Sequence, residues 1–469
     1  MDTALTPDAP NPFATPGRPG PPDRWLGQPL MCAMQRDYLG FMQAQKRAHG
    51  DIVFMRLYWE RACAVLSPEL MRVVAVDNAP SLIRQERAVQ VFSEFQGRSL
   101  MTSEGADWQR QHRLLMPVFA PRRVARHAEL MVAAARQALD EALPAGQGNA
   151  LVDVDALTNR LTMAVMLRTL FSSTAVDRTT DAARASRILT YRGMRELFWP
   201  VTLPDWLPLP GKADKRWAMR LLNVLIAGHI RRRLAEPAGT PPKDDLLAML
   251  LAARDEDAGA NSAGLSPAEV HDQCKLMFLA GHDTTASALQ WWLWLMARHP
   301  EAARRAHDEV QRVLGGREPT AADLPQLDWL TATLKEALRL YPPAPSLTAR
   351  RTTQEMQVAG WRIPRRTLVF IVPWVAHHDA RWFPEPEAFR PERFTADAPP
   401  PPRGAWMPFG TGPRVCIGQH FAMLEMTLVA AMLLQRYTLH TEPGQAEPRP
   451  VLNVTLRPAQ SIWLRLARR

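Results

Sequence analysis

Apolar residues recur every three to four positions through most of the middle of the chain, which is the spacing of helices that bury one face. This pattern predicts helices near residues 107–116, 123–142, 155–171, 180–198, 212–235 and 244–256. The clearest helix begins with a capping box of Ser266 and Glu269. It carries Pro267 at its first position, and no breaker interrupts it before Pro300. At ~1.5 Å per residue it would extend about 50 Å, and its mostly apolar sides predict a place at the centre of the molecule.

The helical pattern continues to about residue 340, with two further helices predicted near 300–314 and 327–340. After that point the pattern changes, although one more helix is predicted over about 417–435. Alternating or β-branched residues occupy the segments 355–360, 367–372 and 451–466. Such segments are typical of strands in a small sheet. The chain is therefore expected to be mainly α-helical, with a small β part assembled late in the sequence.

The first thirty residues differ from the rest of the chain. Residues 1–30 hold eight prolines and little periodic apolar content, so we predict a proline-rich arm in an extended conformation. No internal repeat or second linker divides residues 31–469, which we interpret as a single domain. The chain has no run of 18 apolar residues, and its N-terminus lacks the basic and apolar regions of a signal peptide. We therefore expect a soluble, cytoplasmic protein with no transmembrane anchor.

Basic residues outnumber acidic ones, with 57 Lys and Arg against 47 Asp and Glu and a formal net charge of +10. Nucleic acid, an anionic surface or an acidic protein could each bind such a chain. The basic residues occur in scattered pairs and triplets, beside no helix–turn–helix, zinc-finger or RNA-binding signature. We therefore expect no nucleic-acid partner, and the charge favours solubility together with a locally basic docking surface.

The four cysteines are widely separated, and their spacing matches no disulfide framework, zinc site or iron–sulfur cluster. Cysteine chemistry in this chain therefore depends on a single residue. Cys416 lies in the segment FGTGPRVCIG, residues 409–418, whose three glycines and one proline impose a tight turn before an apolar helix. A thiolate at a helix N-terminus meets unpaired N–H groups and the positive end of the helix dipole, which lower its pKa. An iron ligand requires such a thiolate.

This segment resembles the haem-binding signature FxxGxRxCxG of the cytochrome P450 family, and every defining position matches. The resemblance implies the mainly helical fold of that family, with haem b (iron protoporphyrin IX) between the long central helix and the cysteine loop. It implies that the Cys416 thiolate is the axial ligand of the iron. Arg414 would bind a haem propionate, Phe409 would pack by the thiolate, and Gly410 and Gly418 would complete the haem-binding segment.

The long helix contains the segment AGHDTT, which starts at Ala280. Glycine beside threonine allows a locally opened helix, because a hydroxyl can bond back to a carbonyl one turn earlier. The segment resembles the family's oxygen-activation motif, (A/G)Gx(D/E)T(T/S). By that resemblance Thr284 would hydrogen-bond the oxygen being activated and Asp283 would feed protons inward. Ala280 and Gly281 would leave room for oxygen and substrate, and His282 has no ligand role.

A third motif pairs an acid with arginines. Glu336 and Arg339 resemble the family's ExxR, and Arg393 lies in a segment similar to its PERF partner. By resemblance these three residues would form a buried charge network that locks the loop leading to Cys416. Their role would be structural, and loss of one partner would be severe.

Further haem contacts follow from the same resemblance. Trp108 and His112 match the family's WxxxR, with histidine at the usual arginine position, and would donate to a haem propionate. A histidine contact depends more on pH than an arginine contact does. Another propionate ligand is expected at Arg350 or Arg351, and we favour Arg350.

The resemblance implies a monooxygenase that inserts one atom of O2 into a lipophilic small molecule, by hydroxylation or epoxidation. Electrons would come in trans from NAD(P)H, through a reductase and a ferredoxin or flavodoxin. The segments expected to line the substrate pocket are mostly apolar and lie near Phe92 and Phe95, at 194–198, near Ala280, at 346–348 and at Val454.

Alternative functions use the same scaffold. A peroxide-driven enzyme, or a haem-thiolate isomerase or dehydratase, does not need the pair Asp283 and Thr284, so that pair argues against both. A non-catalytic haem-thiolate sensor or carrier would keep Cys416 without a working proton path. Steady NADPH consumption coupled to product formation would separate a catalyst from a carrier.

Overall fold

The computed structural model describes residues 18–23, 25–143, 149–173, 179–198, 203–237, 239–241, 243–254 and 264–469. Most of the predicted arm, residues 1–17, lies outside the described residues. Residues 18–23 run beside the first strand, where the Phe54 N–H donates to the Pro19 carbonyl oxygen at 2.8 Å. The first α-helix then begins at Gln28, inside the predicted arm.

Helices make up most of the described chain, as the sequence predicts. They are α1 Gln28–Arg36, α2 Tyr38–His49, α3 Pro68–Arg72, α4 Glu86–Gln96, α5 Gly105–Leu115, α6 Pro121–Ala125, α7 Ala128–Ala142, α8 Val154–Phe171, α9 Thr179–Leu197, α10 Lys212–Leu234, α11 Leu246–Ala252, α12 Pro267–Arg298, α13 Pro300–Leu314, α14 Asp328–Leu340, α15 Pro373–His377 and α16 Gln419–Arg436. None of the described helices is long and apolar enough to cross a membrane.

The strands are short. They are β1 Ile52–Leu57, β2 Glu60–Val65, β3 Leu82–Arg84, β4 Asn149–Asp153, β5 Arg350–Thr352, β6 Met356–Val358, β7 Trp361–Ile363, β8 Leu368–Ile371, β9 Tyr437–Thr441, β10 Pro450–Leu452, β11 Leu456–Pro458 and β12 Trp463–Arg468. The predicted strand region 451–466 thus contains parts of three strands, because residues 453–455 turn the chain back between β10 and β11.

The chain forms two compact units, each assembled from segments that are distant in sequence. The first unit comprises the chain up to residue 88, with 339–388 and 399–416. The second comprises residues 89–338, 389–398 and 417–469. The single-domain organisation over residues 31–469 stays a prediction.

The first unit is built around a five-stranded sheet in the order β1-β2-β8-β5-β3. Strands β2 and β8 pair in parallel, and the other neighbouring pairs are antiparallel. Inward-facing residues such as Cys63, Val65 and Val369 form a buried apolar cluster with side chains of the following helices. This sheet carries Arg350 on β5 and supports the long loops that lead to Cys416.

The second unit is helical and is organised around α12. This helix spans the interval that the sequence predicts, and Ser266 and Glu269 form the expected capping box at its start. It is buried on most sides and packs against α8, α10, α13 and α16. The hairpin β10–β11 is held on α12, since Ser287 Oγ and Trp291 Nε1 both donate to the Leu456 carbonyl oxygen, at 2.6 and 2.9 Å.

Candidate active site

Cys416 ends a turn whose shape depends on glycine. Gly410 and Gly412 have φ angles of 78° and 76°, a conformation that side chains with a Cβ rarely adopt. A Cβ on Gly412 would also lie 2.1 Å from the Ala75 carbonyl oxygen. The Cys416 N–H donates to the Phe409 carbonyl oxygen at 2.9 Å, which closes the turn. Cys416 is exposed at the end of this fixed backbone, three residues before α16 begins at Gln419.

The residues around this turn supply an aromatic group and a cation. Phe409 packs edge to face on Trp406, with ring centroids 6.4 Å apart. Arg414 closes the short helical turn Gly412–Arg414. Gly418 is the N-cap of α16, with a φ of −87°. The structure therefore brings Phe409, Gly410 and Arg414 together in the segment that carries Cys416.

The two arginines at the start of β5 have different partners. Arg351 forms ion pairs with Glu60 and Glu86, at 2.5 and 3.0 Å. Arg350 donates from Nη1 to the Thr348 carbonyl oxygen at 2.8 Å. The guanidinium of Arg351 is therefore held by two carboxylates.

Helix α14 carries Glu336 and Arg339, and both side chains are fully buried. Glu336 Oε1 lies 3.4 Å from Arg393 Nε and accepts the Arg390 N–H at 2.9 Å. Arg339 donates at 2.7, 2.7 and 3.1 Å to the carbonyl oxygens of His377, Pro386 and Ala388. The structure thus brings Glu336 to Arg393 and ties Arg339 to the segment 377–388.

His377 has a structural role. Its Nδ1 lies 3.1 Å from the Arg339 carbonyl oxygen, and its Nε2 accepts the Met407 N–H at 3.0 Å. Burial lowers the pKa of His377, so the ring is neutral and both nitrogens serve backbone groups. Among the described residues, no cluster of three or more His, Cys, Asp or Glu side chains is arranged to hold a metal ion.

The middle of α12 has two different faces. Thr284 Oγ1 donates to the Ala280 carbonyl oxygen at 2.7 Å, which confirms the predicted bond back to the preceding turn. Ala280 is exposed and Thr284 partly exposed, whereas Asp283 is buried. A Cβ on Gly281 would lie 2.2 Å from Met166 Cε, so the glycine marks a close approach of α8.

Asp283 is surrounded by donors that no motif predicts. Thr455 Oγ1 donates to Asp283 Oδ2 at 2.8 Å, and Arg457 Nη2 donates to Oδ1. Burial raises the pKa of Asp283, but the attraction of Arg457, with these hydrogen bonds, brings the pKa below its ordinary value. Burial also lowers the pKa of the neighbouring His282 to about 4, so this ring is neutral at neutral pH.

Arg457 also binds a second carboxylate, because its Nη1 donates to Asp155 Oδ1 at 2.6 Å. No sequence motif singles out Thr455, Arg457 or Asp155. Arg457 is 302 positions from Asp155 and 174 from Asp283, so no local spacing signals the group. The local signal for it is an arginine within a segment that is predicted to be a strand.

Helix α5 positions the other two predicted haem contacts in the second unit. Trp108 and His112 are one turn apart, and their ring centroids are 4.9 Å apart. Both side chains are partly buried, whereas Arg113 is exposed. The structure therefore places the indole and the imidazole side by side on one face of α5.

The side chains described above are of the chemical types that bind a haem. The first unit offers an exposed thiol on a rigid turn, with Arg414 and Arg350 as cations. The second unit offers an indole, an imidazole and a buried acid beside a threonine hydroxyl. Iron needs the thiolate, and propionates need cations and N–H donors.

A family model described as Cytochrome P450 matches residues 18–464 of the chain. The chain is 36% identical over 432 residues to cyclooctatin synthase of Streptomyces melanosporofaciens, with 92% of each chain covered. It is 34% identical over 414 residues to cyclooctat-9-en-7-ol 5-monooxygenase of the same organism, with 88% of this chain and 87% of the relative covered. It is 32% identical over 446 residues to pentalenene oxygenase of Streptomyces avermitilis, with 93% and 94% covered.

Proposed function

The chain belongs to the cytochrome P450 family and is a haem-thiolate monooxygenase, and we propose that its lipophilic substrate is a terpene. One observation carries the substrate class. Two relatives that match most of both chains are named for the oxidation of cyclooctat-9-en-7-ol and pentalenene. Phe92 and Phe95 of α4, two of the residues expected to line the pocket, are apolar, as a terpene site requires, and their rings pack edge to face with centroids 5.6 Å apart. The proposed reaction is hydroxylation or epoxidation.

We propose that the cofactor is haem b and that the Cys416 thiolate binds its iron. When bound, the haem supplies the activation of O2, of which one atom enters the substrate and the other leaves as water. Cys416 would hold the iron through its sulfur and, as a thiolate, would supply electron density to it. The positive φ angles of Gly410 and Gly412 support this assignment, because they hold the Cys416 thiol exposed on a fixed turn.

The propionates are assigned to Arg414, Arg350, His112 and Trp108. The ion pairs of Arg351 with Glu60 and Glu86 favour Arg350 over its neighbour. The neighbouring rings of Trp108 and His112, tilted by 35° to each other, would offer two N–H donors from one helix face. His112 donates from both ring nitrogens only when it is protonated, so this contact would weaken as the pH rises.

Asp283 and Thr284 are assigned to proton delivery. Asp283 is buried and ionised, so it can take up a proton at a carboxylate oxygen and release it again. Thr284 Oγ1 donates its own proton to the Ala280 carbonyl oxygen, which leaves its lone pairs to accept a proton from an acid. The exposed Ala280 has no bulky side chain and would leave room for O2 and substrate, whereas Met166 of α8 fills the space beside Gly281.

Glu336, Arg339 and Arg393 are assigned a structural role. Their burial and the carbonyl contacts of Arg339 support it, because a buried guanidinium that satisfies several backbone carbonyls fixes the chain around it. Removing one partner would leave a buried charge unpaired, which is strongly destabilising.

The enzyme takes its electrons from redox partners, and we propose a ferredoxin or flavodoxin with an NAD(P)H-dependent reductase. The net charge of +10 supports a small acidic carrier. Attraction between opposite charges speeds association and is screened by salt, so turnover should fall as salt is raised. The predicted cytoplasmic location stays a prediction.

The proposed function is tested with the purified holoenzyme, a ferredoxin and its reductase. NADPH consumption and ¹⁸O incorporation from ¹⁸O2 are measured with pentalenene, cyclooctat-9-en-7-ol, a long-chain fatty acid and a steroid. We expect coupled oxidation of at least one terpene and slower oxidation of the other two classes. Oxidation of the fatty acid or the steroid alone would overturn the substrate class. Binding without turnover would indicate a carrier, and turnover with peroxide alone would indicate a peroxide-driven enzyme.

A further inference from the structure

Lys215 of α10 is a buried lysine that lies outside the site described above. Its side chain is 1% exposed, and its Nζ lies 2.5, 2.9 and 3.3 Å from carboxylate oxygens of Glu94, Glu196 and Asp205. A lysine ammonium has three N–H donors, so these three carboxylates can occupy all of them. Burial lowers the pKa of Lys215, but the hydrogen bonds to Glu196 and Glu94 outweigh it and bring the pKa above its ordinary value. Lys215 is therefore charged at neutral pH.

The three carboxylates come from different parts of the second unit. Glu94 lies in the last turn of α4, Glu196 lies in the last turn of α9, and Asp205 lies in the segment between α9 and α10. Lys212 is a second cation, with its Nζ 2.9 Å from Glu196 Oε1 and 2.6 Å from Asp205 Oδ1. Glu196 and Asp205 thus bind both lysines, with one oxygen for each. Lys215 extends this ion cluster to Glu94 and so connects α4 with α9.

Helices α4 and α9 also approach each other directly beside the ion cluster. A Cβ on Gly193 of α9 would lie 3.1 Å from Phe95 Cζ and 3.8 Å from Val91 Cγ1 of α4. Phe95 follows Glu94 in the sequence, and Gly193 lies one turn before Glu196. The same two helices are therefore joined by an apolar contact and, one step further along each helix, by the ion pairs of Lys215.

Both helices carry residues that are expected to line the substrate pocket. Phe92 and Phe95 stand on either side of Glu94 in the sequence of α4, and the expected segment 194–198 contains Glu196. In most small-molecule sites a few polar contacts fix the orientation of the ligand. A terpene has few polar atoms for such contacts, so the shape of the apolar walls must orient it. The spacing of α4 and α9 is part of that shape.

We infer that Lys215 is a positioning residue that fixes α4 against α9, and that it thereby determines which C–H bond of the substrate is oxidised. This inference rests on the proposed function. The substrate touches apolar side chains such as Phe95, and Lys215 acts on it through them. If α4 moved away from α9, Lys215 would lose Glu94 or Glu196 while it stays buried, which is strongly unfavourable for a charged group. The ion cluster therefore resists a change in the spacing of the two helices.

The test uses K215M, E94A and E94D, with E236A as the matched control. K215M removes the central cation. E94A removes the link to α4 and leaves the ammonium two carboxylates, so it carries the test if K215M does not fold. E94D keeps a carboxylate that is one methylene shorter. Glu236 pairs with the exposed Lys243 after the end of α10, outside the ion cluster.

The readout is the set of products formed by the holoenzyme with its ferredoxin and reductase. The substrate is the one that the wild type oxidises fastest among pentalenene, cyclooctat-9-en-7-ol, the fatty acid and the steroid. We expect K215M and E94A to lower the ratio of main to minor products about fivefold and to raise KM about tenfold, with kcat for total product within about twofold of wild type. E94D should recover part of the ratio, and E236A should match the wild type.

A second readout does not depend on turnover. Amide hydrogen exchange of the resting holoenzyme reports local opening, and we expect E94A to speed exchange in α4 and in the last turn of α9, with no change in E236A. Wild-type product ratio and KM in E94A, or a lower kcat alone, would overturn the inference while the wild type still forms product. Unchanged exchange in α4 would also overturn it. A wild type that oxidises none of the four compounds would instead overturn the proposed function, and with it this inference.

Discussion

Two buried carboxyl groups in the second unit have pKa values shifted in opposite directions. Asp283 of α12 is 4% exposed and Glu425 of α16 is 1% exposed. Asp283 faces Arg457 and Thr455, and its pKa lies below the ordinary value, since these partners outweigh the effect of burial. Burial raises the pKa of Glu425 well above the ordinary value, and among the described residues its Oε1 has no hydrogen-bond partner.

The two groups differ in their partners, because Asp283 has the guanidinium of Arg457 and the hydroxyl of Thr455 beside it. Burial alone makes a carboxyl group neutral, because the charged form loses its hydration. Arg457 and Thr455 lower the pKa of Asp283, whereas burial without such partners raises the pKa of Glu425 in the same unit. The following variants test this contrast, from the largest expected effect to the smallest.

Removing the guanidinium should make Asp283 resemble Glu425. We expect R457M to lose about 3–5 kcal/mol of unfolding free energy at pH 7, because a buried carboxylate is left without its cation. The lowered pKa of Asp283 supports stability above the ordinary pKa, and that support is lost as the pH falls through the folded value. The difference between R457M and wild type should therefore shrink in acid. Urea unfolding at pH 7 and at pH 3, below the ordinary pKa of 3.8, measures it, and equal stability at pH 7 would contradict the contrast.

His282 should make the surroundings of Asp283 sensitive to acid. Its pKa falls from 6.5 to about 4 on folding, so its neutral form supports stability above pH 6.5. That support should decrease by about 3 kcal/mol as the pH falls from 6.5 to 4, since each pKa unit is worth ~1.4 kcal/mol. We expect H282Q to have a flatter stability profile than wild type over this interval. Parallel profiles from urea unfolding would show that His282 titrates normally.

Thr455 should contribute less than Arg457, because it is neutral. T455V keeps the shape of the side chain and removes one hydrogen bond to a carboxylate, which is worth about 2 kcal/mol. We expect this loss to be smaller in a D283N background than in wild type, since an amide at that position no longer carries the charge. Urea unfolding of the wild type, T455V, D283N and the double variant gives the loss of unfolding free energy in both backgrounds. An equal loss in both backgrounds would mean that Thr455 does not act through Asp283.

Glu425 should show the opposite dependence of stability on pH. Its raised pKa means that its contribution is fully present below the ordinary pKa and is lost as the pH rises toward the folded value. We expect E425M to match or exceed wild-type stability at pH 8 by about 1 kcal/mol, because it removes an unsatisfied buried group. The gain should vanish at pH 4. A loss of stability at pH 8 would show that Glu425 has a partner that keeps it ionised.

Much of the fold was predictable because its signals are local. The capping box of Ser266 and Glu269, the apolar periodicity of α12 and the glycines before Cys416 each act within a few residues of sequence. The back-bond from Thr284 to Ala280 was predictable for the same reason. The predicted helix 123–142 is interrupted, since Arg126 and His127 separate α6 from α7.

The surroundings of Asp283 were not predictable, because they depend on distant parts of the chain. Asp283, Asp155 and Arg457 come from two helices and a strand, and no sequence spacing relates them. The turn at 453–455 also hides the hairpin in a segment that reads as one strand. Cys416, Arg414 and the other residues assigned to haem binding stay predictions, since their roles come from the resemblance and the donor chemistry.

The central claim is that Cys416 binds the haem iron as a thiolate. The direct measurement is the absorption spectrum of the reduced protein with carbon monoxide, recorded for wild type and C416A. We expect a strongly red-shifted haem band in wild type that disappears in C416A. A band at the position typical of histidine ligation, or the same red-shifted band in both proteins, would contradict the claim.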